Sequence, residues 1–263
     1  MKRMLSFGLV AALALSLVAC GSPASESGSE AGTTDSTAGT ADTADVEETE
    51  SDLAYVKDKG SLVIGYTVYA PMNYTDEDGN FTAVCEKLGV EPEFVEINWD
   101  TKIVELDAKS IDCIWNGMTL TDDIMANTAC TEPYAKNAQV VVMKKDAAYT
   151  STADLAGAVV TAEAGSAGET TVQEDENLSQ ADYVTKTVQT DCLMEVEAGT
   201  ADAAVLDLTL ANAMIGDGTD YADLEIKDEL NVEEYGVAFR KGSDIAAAVN
   251  DAFAALREDG TMQ

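Results

Sequence analysis

The chain has 263 residues, and its 49 Asp and Glu against 15 Lys and Arg give a formal net charge of -34 at pH 7. A surface this negative repels nucleic acid and anionic lipid headgroups, so we expect neither as a binding partner. The sequence contains no histidine, which removes the usual general base and the Ser-His and Cys-His nucleophiles. Its five cysteines include no CxxC pair, so neither zinc nor another cofactor is expected.

The start of the chain predicts a secretory leader followed by a lipid attachment site. A basic pair, KR, precedes an apolar run over residues 5–19, which is shorter than the roughly 20 apolar residues of a membrane-spanning helix. The run ends in LVACG, which resembles the lipobox of bacterial lipoproteins. We therefore expect residues 1–19 to be a signal peptide and Cys20 to be acylated, with palmitate for example; the alternative is an N-terminal core helix with an incidental cysteine.

Residues 20–54 are predicted to be a disordered acidic tether. The stretch from 21 to 52 holds nine Asp or Glu, no Lys or Arg, and otherwise mostly Gly, Ser, Thr and Ala. Such a composition buries too little apolar surface to offset the entropy lost on ordering, and its like charges keep it extended. We expect the protein on the extracytoplasmic face of the bacterial cell membrane, held there through its lipid anchor only.

After the tether, short β-rich runs alternate with helical ones. In order, these are LVIGY, AVCEKLG, PEFVEI, TKIVELDAK and IDCIW, and TDEDGNF predicts a hairpin turn because of its DG pair. A second series follows: AQVVVMKK, TADLAG, AVVTAEAG, a helix from Ser166 to about Glu174, TDCLMEVEAG, DAAVLD and TLANAMIG. Strands and helices in alternation predict an α/β architecture with a mostly parallel sheet, and the second series predicts a second lobe.

The last segment predicts a returning strand and an amphipathic helix. EYGVAFRKG alternates as a strand does. In DIAAAVNDAFAALRED the apolar residues recur at helical spacing, at Ile245, Val249, Phe253 and Leu256. This helix should pack one face against a core.

The body of the chain contains four cysteines, Cys85, Cys113, Cys130 and Cys192. Cys113 lies in an apolar run and Cys85 in a helical one, which favours buried free thiols. A disulfide between Cys113 and Cys130 is the alternative.

Taken in order, the blocks of the body resemble the extracellular solute-binding proteins of family 3, the amino-acid receptors of ABC importers. The resemblance lies in KGSLVIGYTVYAPMNYTDEDGNF, NWDTKIVELDAKSIDCIWNGMTLT, TEPYAKNAQVVVMKK, DLAGAVVTAEAGSAGE, VEAGTADAAVLD and YGVAFRKGSDIAAAVNDAFAALREDGTMQ. It implies a two-lobed periplasmic-binding-protein-like (type II) fold, with a ligand cleft between lobes joined by two hinge strands. Lobe 1 would comprise residues 55–138 and 235–263, and lobe 2 residues 139–234, with hinges near 137–140 and 233–236.

The resemblance also implies a function. It indicates a monomeric receptor that binds an amino acid or related small amine and delivers it to an ABC transporter permease, and no catalytic residue is assigned. A lipid tether suits this role because it raises the effective concentration of the receptor near the permease. Two alternatives are a surface lipoprotein of the same fold that has lost ligand binding and a dehydratase-like enzyme acting on small carboxylates.

Two groups in the predicted second lobe suit the charged ends of an amino acid. Gly165 lets the backbone approach closely, and Ser166 and Ala167 would open a helix whose N-H groups attract a carboxylate; an ordinary N-cap is the alternative for Ser166. Asp207, at the end of AAVLD, matches the family aspartate that holds the ligand ammonium, with helix capping as its alternative.

In the predicted first lobe, the resemblance assigns aromatic residues and one polar segment to the pocket. Aromatic faces can stack on a ligand side chain or a cationic group. The residues are Tyr66, Tyr69, Trp99, Asn116, Gly117, Met118 and Thr119.

The sequence departs from the family pattern in three places. Ile124 stands where the family usually has the arginine that pairs with the ligand carboxylate, which leaves Lys136 as a candidate. Thr82 runs straight into AVCEKLG where the family has an extra Gly-Phe-Asp segment, and relatives continue with a helical stretch beyond GTMQ.

With Glu163 and Asp207 near the Gly165 turn, we expect an acidic, aromatic cleft that is short of cations. Its ligand should carry an ammonium, and an amide or amine should be tolerated in place of the free carboxylate.

Overall fold

The computed structural model describes residues 51–69, 72 and 80–262. The predicted signal peptide, Cys20 and most of the TDEDGNF turn lie outside these residues. In the part of the chain so described, no helix has the length and apolar character needed to cross a bilayer. In the same part, no cluster of His, Cys, Asp or Glu is arranged to hold a metal ion.

Helices and strands alternate along the chain. The helices are α1 (Asp52–Lys59), α2 (Asn80–Leu88), α3 (Lys102–Asp107), α4 (Asp122–Asn127), α5 (Ala167–Glu174), α6 (Gln189–Ala198), α7 (Leu208–Met214) and α8 (Ile245–Glu258). The strands are β1 (Ser61–Tyr66), β2 (Glu91–Glu96), β3 (Cys113–Thr119), β4 (Ala129–Cys130), β5 (Ala135–Lys144), β6 (Val159–Glu163), β7 (Asp182–Lys186), β8 (Ala203–Asp207) and β9 (Leu224–Phe239).

The strands form a mixed sheet in the order β2-β1-β3-β9-β5-β8-β6-β7, with β4 paired to β9. β1 pairs in parallel with β2 and β3, and β6 pairs in parallel with β7 and β8. The antiparallel strands β5 and β9 join these two parallel groups. We call the β2-β1-β3 side lobe 1 and the β8-β6-β7 side lobe 2. The predicted two-lobed α/β fold with two connecting strands is confirmed, whereas the expected mostly parallel sheet is wrong, because the connecting strands pair antiparallel.

The connecting strand β9 is longer than its sequence pattern indicates. Only its last part, within EYGVAFRKG, alternates as a strand, whereas LEIKDELNVEE carries too many charges to show a period of two. This charged part becomes a strand because β5 pairs with it, from Lys144 opposite Leu224 to Ala135 opposite Tyr235.

The last helix completes the lobe 1 core, as its spacing predicts. Ile245, Val249, Phe253 and Leu256 of α8 are all buried against β1, β3 and α2.

The first helix, α1, begins at Asp52 and thus lies partly in the segment predicted as tether. Ser51 caps it by accepting a hydrogen bond from the Ala54 amide at 3.0 Å. Helix α1 therefore begins three residues before residue 55, where lobe 1 was expected to start.

No disulfide joins the four cysteines of the body. Cys85, Cys113 and Cys192 are buried, while Cys130 is half-buried and lies beside the Thr128 hydroxyl, 3.2 Å from its sulfur. The expectation of buried thiols is confirmed for the first three, and the alternative Cys113–Cys130 disulfide is not formed.

Candidate functional site

A cleft lies between the two lobes, at the carboxyl ends of the parallel strands. β1, β3, β6 and β8 end at Tyr66, Thr119, Glu163 and Asp207, and the residues at or just after these ends form much of the walls. The cleft has a volume of about 1020 Å³, at the upper end of the range for small-molecule sites. Such strand ends are where α/β folds place their ligands.

The predicted binding residues, with one exception, lie along this cleft. Tyr66 lies outside it, because its ring packs edge-on against Phe94 with the centroids 6.4 Å apart. Successive side chains of an extended chain point to opposite sides, so the next residue, Thr67, lines the cleft instead. The predicted residues on the walls are Tyr69, Trp99, Asn116, Gly117, Met118, Thr119, Gly165, Ser166, Ala167 and Asp207.

A buried acidic cluster forms one side of the cleft. The Asp207 carboxylate accepts hydrogen bonds from Asn137 Nδ2 at 2.8 Å and from the Nε2 atoms of Gln139 and Gln189, each at 2.5 Å. Asn137 and Gln139 also donate to Glu233 Oε1, at 2.6 and 2.9 Å. Among the described residues no Lys or Arg pairs with either carboxylate. Burial, and then the Glu233 charge, raises the pKa of Asp207.

The cluster also contains acceptors without donors. Glu233 Oε2 and Gln139 Oε1 are buried and have no hydrogen-bond partner among the described residues. A buried acceptor left in this state costs about 1–3 kcal/mol. Glu233 lines the cleft, and its Oε2 is therefore available to a donor there.

A third carboxylate, Glu163, links the two lobes. Its Oε1 accepts a hydrogen bond from Thr67 Oγ1 at 3.2 Å, and its side chain is buried. Burial, followed by the charge of Asp207, raises the pKa of Glu163 to about 8. The raised pKa favours the protonated, neutral form of this carboxyl.

Lys102 is a cation of the cleft that the sequence analysis missed. Its Nζ donates to the carbonyl of Gly165 in lobe 2 at 2.7 Å and to the carbonyl of Trp99 at 3.1 Å. The side chain is 7% exposed, and burial lowers the pKa of its ammonium. The cleft is acidic overall, as expected, but the sequence analysis did not foresee this lysine among its walls. The sequence pattern of TKIVELDAK predicts a helix and no binding role. The one signal for such a role is the position of Lys102, three residues after the predicted pocket residue Trp99.

Ser166 and Asp207 both stand at helix N-caps but use their side chains differently. Ser166 Oγ accepts a hydrogen bond from the Glu169 amide at 3.1 Å, so it caps α5 while it lines the cleft. The Asp207 side chain makes no cap bond to α7, because its oxygens accept from the neighbouring amides. The capping alternative therefore holds for Ser166 and fails for the Asp207 side chain.

Tyr69 is fixed against the connecting strand β9. Its hydroxyl lies 2.7 Å from that of Tyr235, and the two rings meet edge-on. Gly117 has φ of +66°, and a Cβ atom there would lie 2.9 Å from the Tyr69 ring. Only glycine suits that position, since a side chain would meet both a strained backbone and a steric clash.

The two residues named for carboxylate binding differ in their surroundings. Ile124 lines the cleft but is buried in a core cluster with Trp99 and Met118, and it brings no charge. Lys136 lies on the exposed rim of the cleft, on β5. Neither is placed as Lys102 is, in contact with the backbone of both lobes.

A second group of charges lies in lobe 1 around two buried residues, Asp112 and Arg240, and none of its members lines the cleft. Asp112, 1% exposed, pairs with Lys59 at 2.5 Å and with Arg240 at 3.4 Å. Arg240 also pairs with Asp52 at 2.9 Å and donates to the Ile111 carbonyl at the same distance. We call Asp52, Lys59, Asp112 and Arg240 the lobe 1 ion network; two cations balance two anions in it.

Comparison with known proteins identifies the family. Residues 62–263 match the model of the bacterial extracellular solute-binding proteins, family 3. The chain therefore belongs to this family, and the resemblance drawn from its sequence blocks is confirmed.

Individual relatives are similar over most of their length. The L-cystine-binding protein TcyJ of Escherichia coli K12 is 30% identical over 227 residues, covering 81% of this chain and 84% of that protein. The arginine-binding extracellular protein ArtP of Bacillus subtilis is 28% identical over 278 aligned residues, covering 100% of this chain and 96% of that protein. The structure of the P235GK mutant of ArgBP from T. maritima, 30% identical, matches with a TM-score of 0.71 over 80% of this chain and 94% of that chain.

Proposed function

We propose that the protein is a lipid-anchored extracytoplasmic receptor that binds an amino acid or related small amine and delivers it to an ABC importer. The observation that carries the proposal is Glu233 Oε2, a buried acceptor without a donor in a cleft that also holds Asp207 and Glu163. A ligand ammonium would supply both the missing donor and the missing positive charge. Family membership supports the transport role, since the relatives named above are binding proteins.

In this proposal the ligand contacts both lobes. Its ammonium would lie between Asp207 and Glu233, and its side chain would lie against Tyr69 and Trp99. The Ala167 amide, at the start of α5, would face its other end. We further assign Asn116, Gly117, Met118, Thr119, Ser166 and Ala167 to the same pocket and leave out Tyr66, which packs elsewhere.

The test is a thermal-shift screen of the full chain with the twenty amino acids and small amines. A ligand at about 100 times its Kd adds about 2.7 kcal/mol to stability, which is a readily measured rise in the melting temperature. Asp207→Asn should weaken the best ligand at least tenfold, equivalent to about 1.4 kcal/mol. The matched control is Asp217→Asn, because the Asp217 side chain is 99% exposed and far from the acidic cluster.

Each outcome of the screen distinguishes the candidate functions. Binding that Asp207→Asn weakens and Asp217→Asn leaves unchanged supports the receptor. If no amino acid or amine shifts the melting temperature, the alternative of a lipoprotein that has lost binding gains support. Chemical conversion of the bound molecule, detected by mass spectrometry, would instead support an enzyme.

We also propose that the lobes close on the ligand about hinges near residues 137–140 and 233–236. A ligand that touches both lobes binds the closed form more tightly and shifts the population toward it. Small-angle scattering should then give a smaller radius of gyration at saturation than without ligand. An unchanged radius, together with proven binding, would contradict closure.

The lipid anchor is a separate part of the proposal. Cys20→Ser should release the protein from the membrane fraction in soluble form, because nothing else is expected to hold it there. One acyl chain is only a marginal anchor, so we expect two or three. A Cys20→Ser protein that stays with the membrane after a salt wash would exclude the anchor.

A further inference from the structure

We propose that Lys102 binds the ligand carboxylate, in place of the arginine for which Ile124 stands. This inference rests on the proposed receptor function and assigns a binding role to a residue on the lobe 1 wall of the cleft. It also reverses the expected tolerance for amides, because a cation facing the ligand favours a free acid.

The first argument is the set of partners around the ammonium. An ammonium has three N-H donors, and Lys102 uses two of them, on the carbonyls of Gly165 and Trp99. No Asp or Glu oxygen among the described residues lies within 4.0 Å of its nitrogen. One donor of an ammonium that has no ion-pair partner is thus left for a group that enters the cleft.

The second argument is burial. Lys102 is 7% exposed, and its nitrogen lies 5.2 Å from the centre of the Trp99 ring. A buried ammonium held only by neutral acceptors remains costly until an anion joins it. The carboxylates whose field reaches it belong to Glu163, Asp100, Glu169 and Asp123, and none forms an ion pair with it.

The third argument is the position of Lys102 relative to the N-terminus of α5. Lys102 donates to the carbonyl of Gly165, two residues before Ala167, the first residue of that helix. The Ala167 amide, on the cleft wall, donates to no described residue. One carboxylate could therefore accept from the ammonium in lobe 1 and from an open helix amide in lobe 2.

The replacement of the expected arginine also has a structural basis. Ile124 packs against Trp99 in the core of lobe 1, and Lys102 extends over the ring of the same tryptophan. Both positions thus lie on one wall, so a lysine from α3 can bring a cation to the region where an arginine from α4 would have brought it.

The experiment compares free amino acids with their carboxamides on wild type, Lys102→Met and Lys136→Met. The probes are L-arginine with L-argininamide and L-histidine with L-histidinamide, measured by calorimetry on the full chain, together with the amino acid and amide pair of any better ligand from the screen. Lys136→Met is the matched control, because it removes the exposed lysine of the same cleft. Circular dichroism and the melting temperature without ligand verify that each variant is folded.

We expect Lys102→Met to lower the affinity for the free acid at least tenfold and to change that for the amide less than about threefold. Lys136→Met should leave the ratio of the two affinities as in wild type. Equal losses for acid and amide would show that Lys102 only holds the lobes together, and would overturn the inference. The inference would also be overturned if the ratio of acid to amide affinity were unchanged in Lys102→Met or were lost in Lys136→Met. Neither result would contradict the proposed receptor function. Wild type that binds no probe and no amino acid would overturn both proposals.

Discussion

The lobe 1 ion network and the cleft both contain buried charged groups, yet these groups are stabilised in different ways. In the network, Asp112 has two cationic partners, and every charge is met by an opposite one. In the cleft, Asp207 and Glu233 are held by side-chain amides and Lys102 by backbone carbonyls. Neutral partners position a charged group without neutralising it.

This difference separates a structural role from a binding role. Removing one member of a balanced buried network leaves an opposite charge unpaired, which is costly. Removing a charge from the cleft leaves only neutral partners behind, so the fold loses little while the affinity for a charged ligand falls. Four substitutions test this distinction, in order of decreasing effect.

Asp112→Ala should destabilise the protein most. The substitution leaves Arg240 and Lys59 without their shared carboxylate, and breaking a buried ion pair costs about 3–5 kcal/mol. Urea unfolding gives the free energy directly. The control is Asp217→Ala, which removes a pair whose Asp is fully in solvent and should cost less than about 1 kcal/mol. Similar losses in the two variants would mean that the network is not a structural element.

Glu163 should make the ligand-free protein less stable as the pH rises. Its pKa is raised by burial to about 8 in the folded state, so between about pH 5 and pH 8 the unfolded chain loses this proton and the folded protein keeps it. Over that range Glu163→Gln should lose less stability than wild type, by about 3 kcal/mol. If the free energies of unfolding of the two proteins changed with pH in the same way, the pKa of Glu163 would be the same in the folded and the unfolded chain, and the prediction would be wrong.

Glu233→Gln should weaken binding without weakening the fold. A glutamine Oε1 can still accept from Asn137 and Gln139, and its amide group would replace the unpartnered oxygen. The repulsion with Asp207 also disappears. We expect the unfolding free energy to stay equal or rise, and the affinity for a cationic ligand to fall about tenfold, or about 1.4 kcal/mol. A marked loss of stability would place Glu233 with the structural charges.

Ser166→Ala should have the smallest effect, and mainly on stability. The hydroxyl is already used as the acceptor for the Glu169 amide, and loss of an N-cap costs about 1 kcal/mol. Chemical denaturation measures the loss, with Ser166→Thr as a control that keeps a hydroxyl cap. If Ser166→Ala lowered affinity as strongly as Asp207→Asn, its main role would be in binding rather than in capping.

The sequence alone determined the features that depend on local pattern. Alternating strands and helices predicted the α/β lobes, and the spacing of Ile245, Val249 and Phe253 predicted the buried face of α8. Gly165 and Asp207 could be found because they lie at or just after the ends of strands, and strand ends define where such folds place a site. These signals extend over a few residues, so no distant contact is needed to recognise them.

Only the tertiary structure decided how the cleft is charged. Lys102 contacts Gly165, and Asn137 and Gln139 bridge Asp207 to Glu233, across long distances in sequence. Whether Tyr66 or Thr67 faces the cleft depends on how the end of β1 sits in the sheet. The physical reason is that burial and pairing of charges arise where strands and lobes meet, and a local pattern of residues does not specify which distant segments meet there.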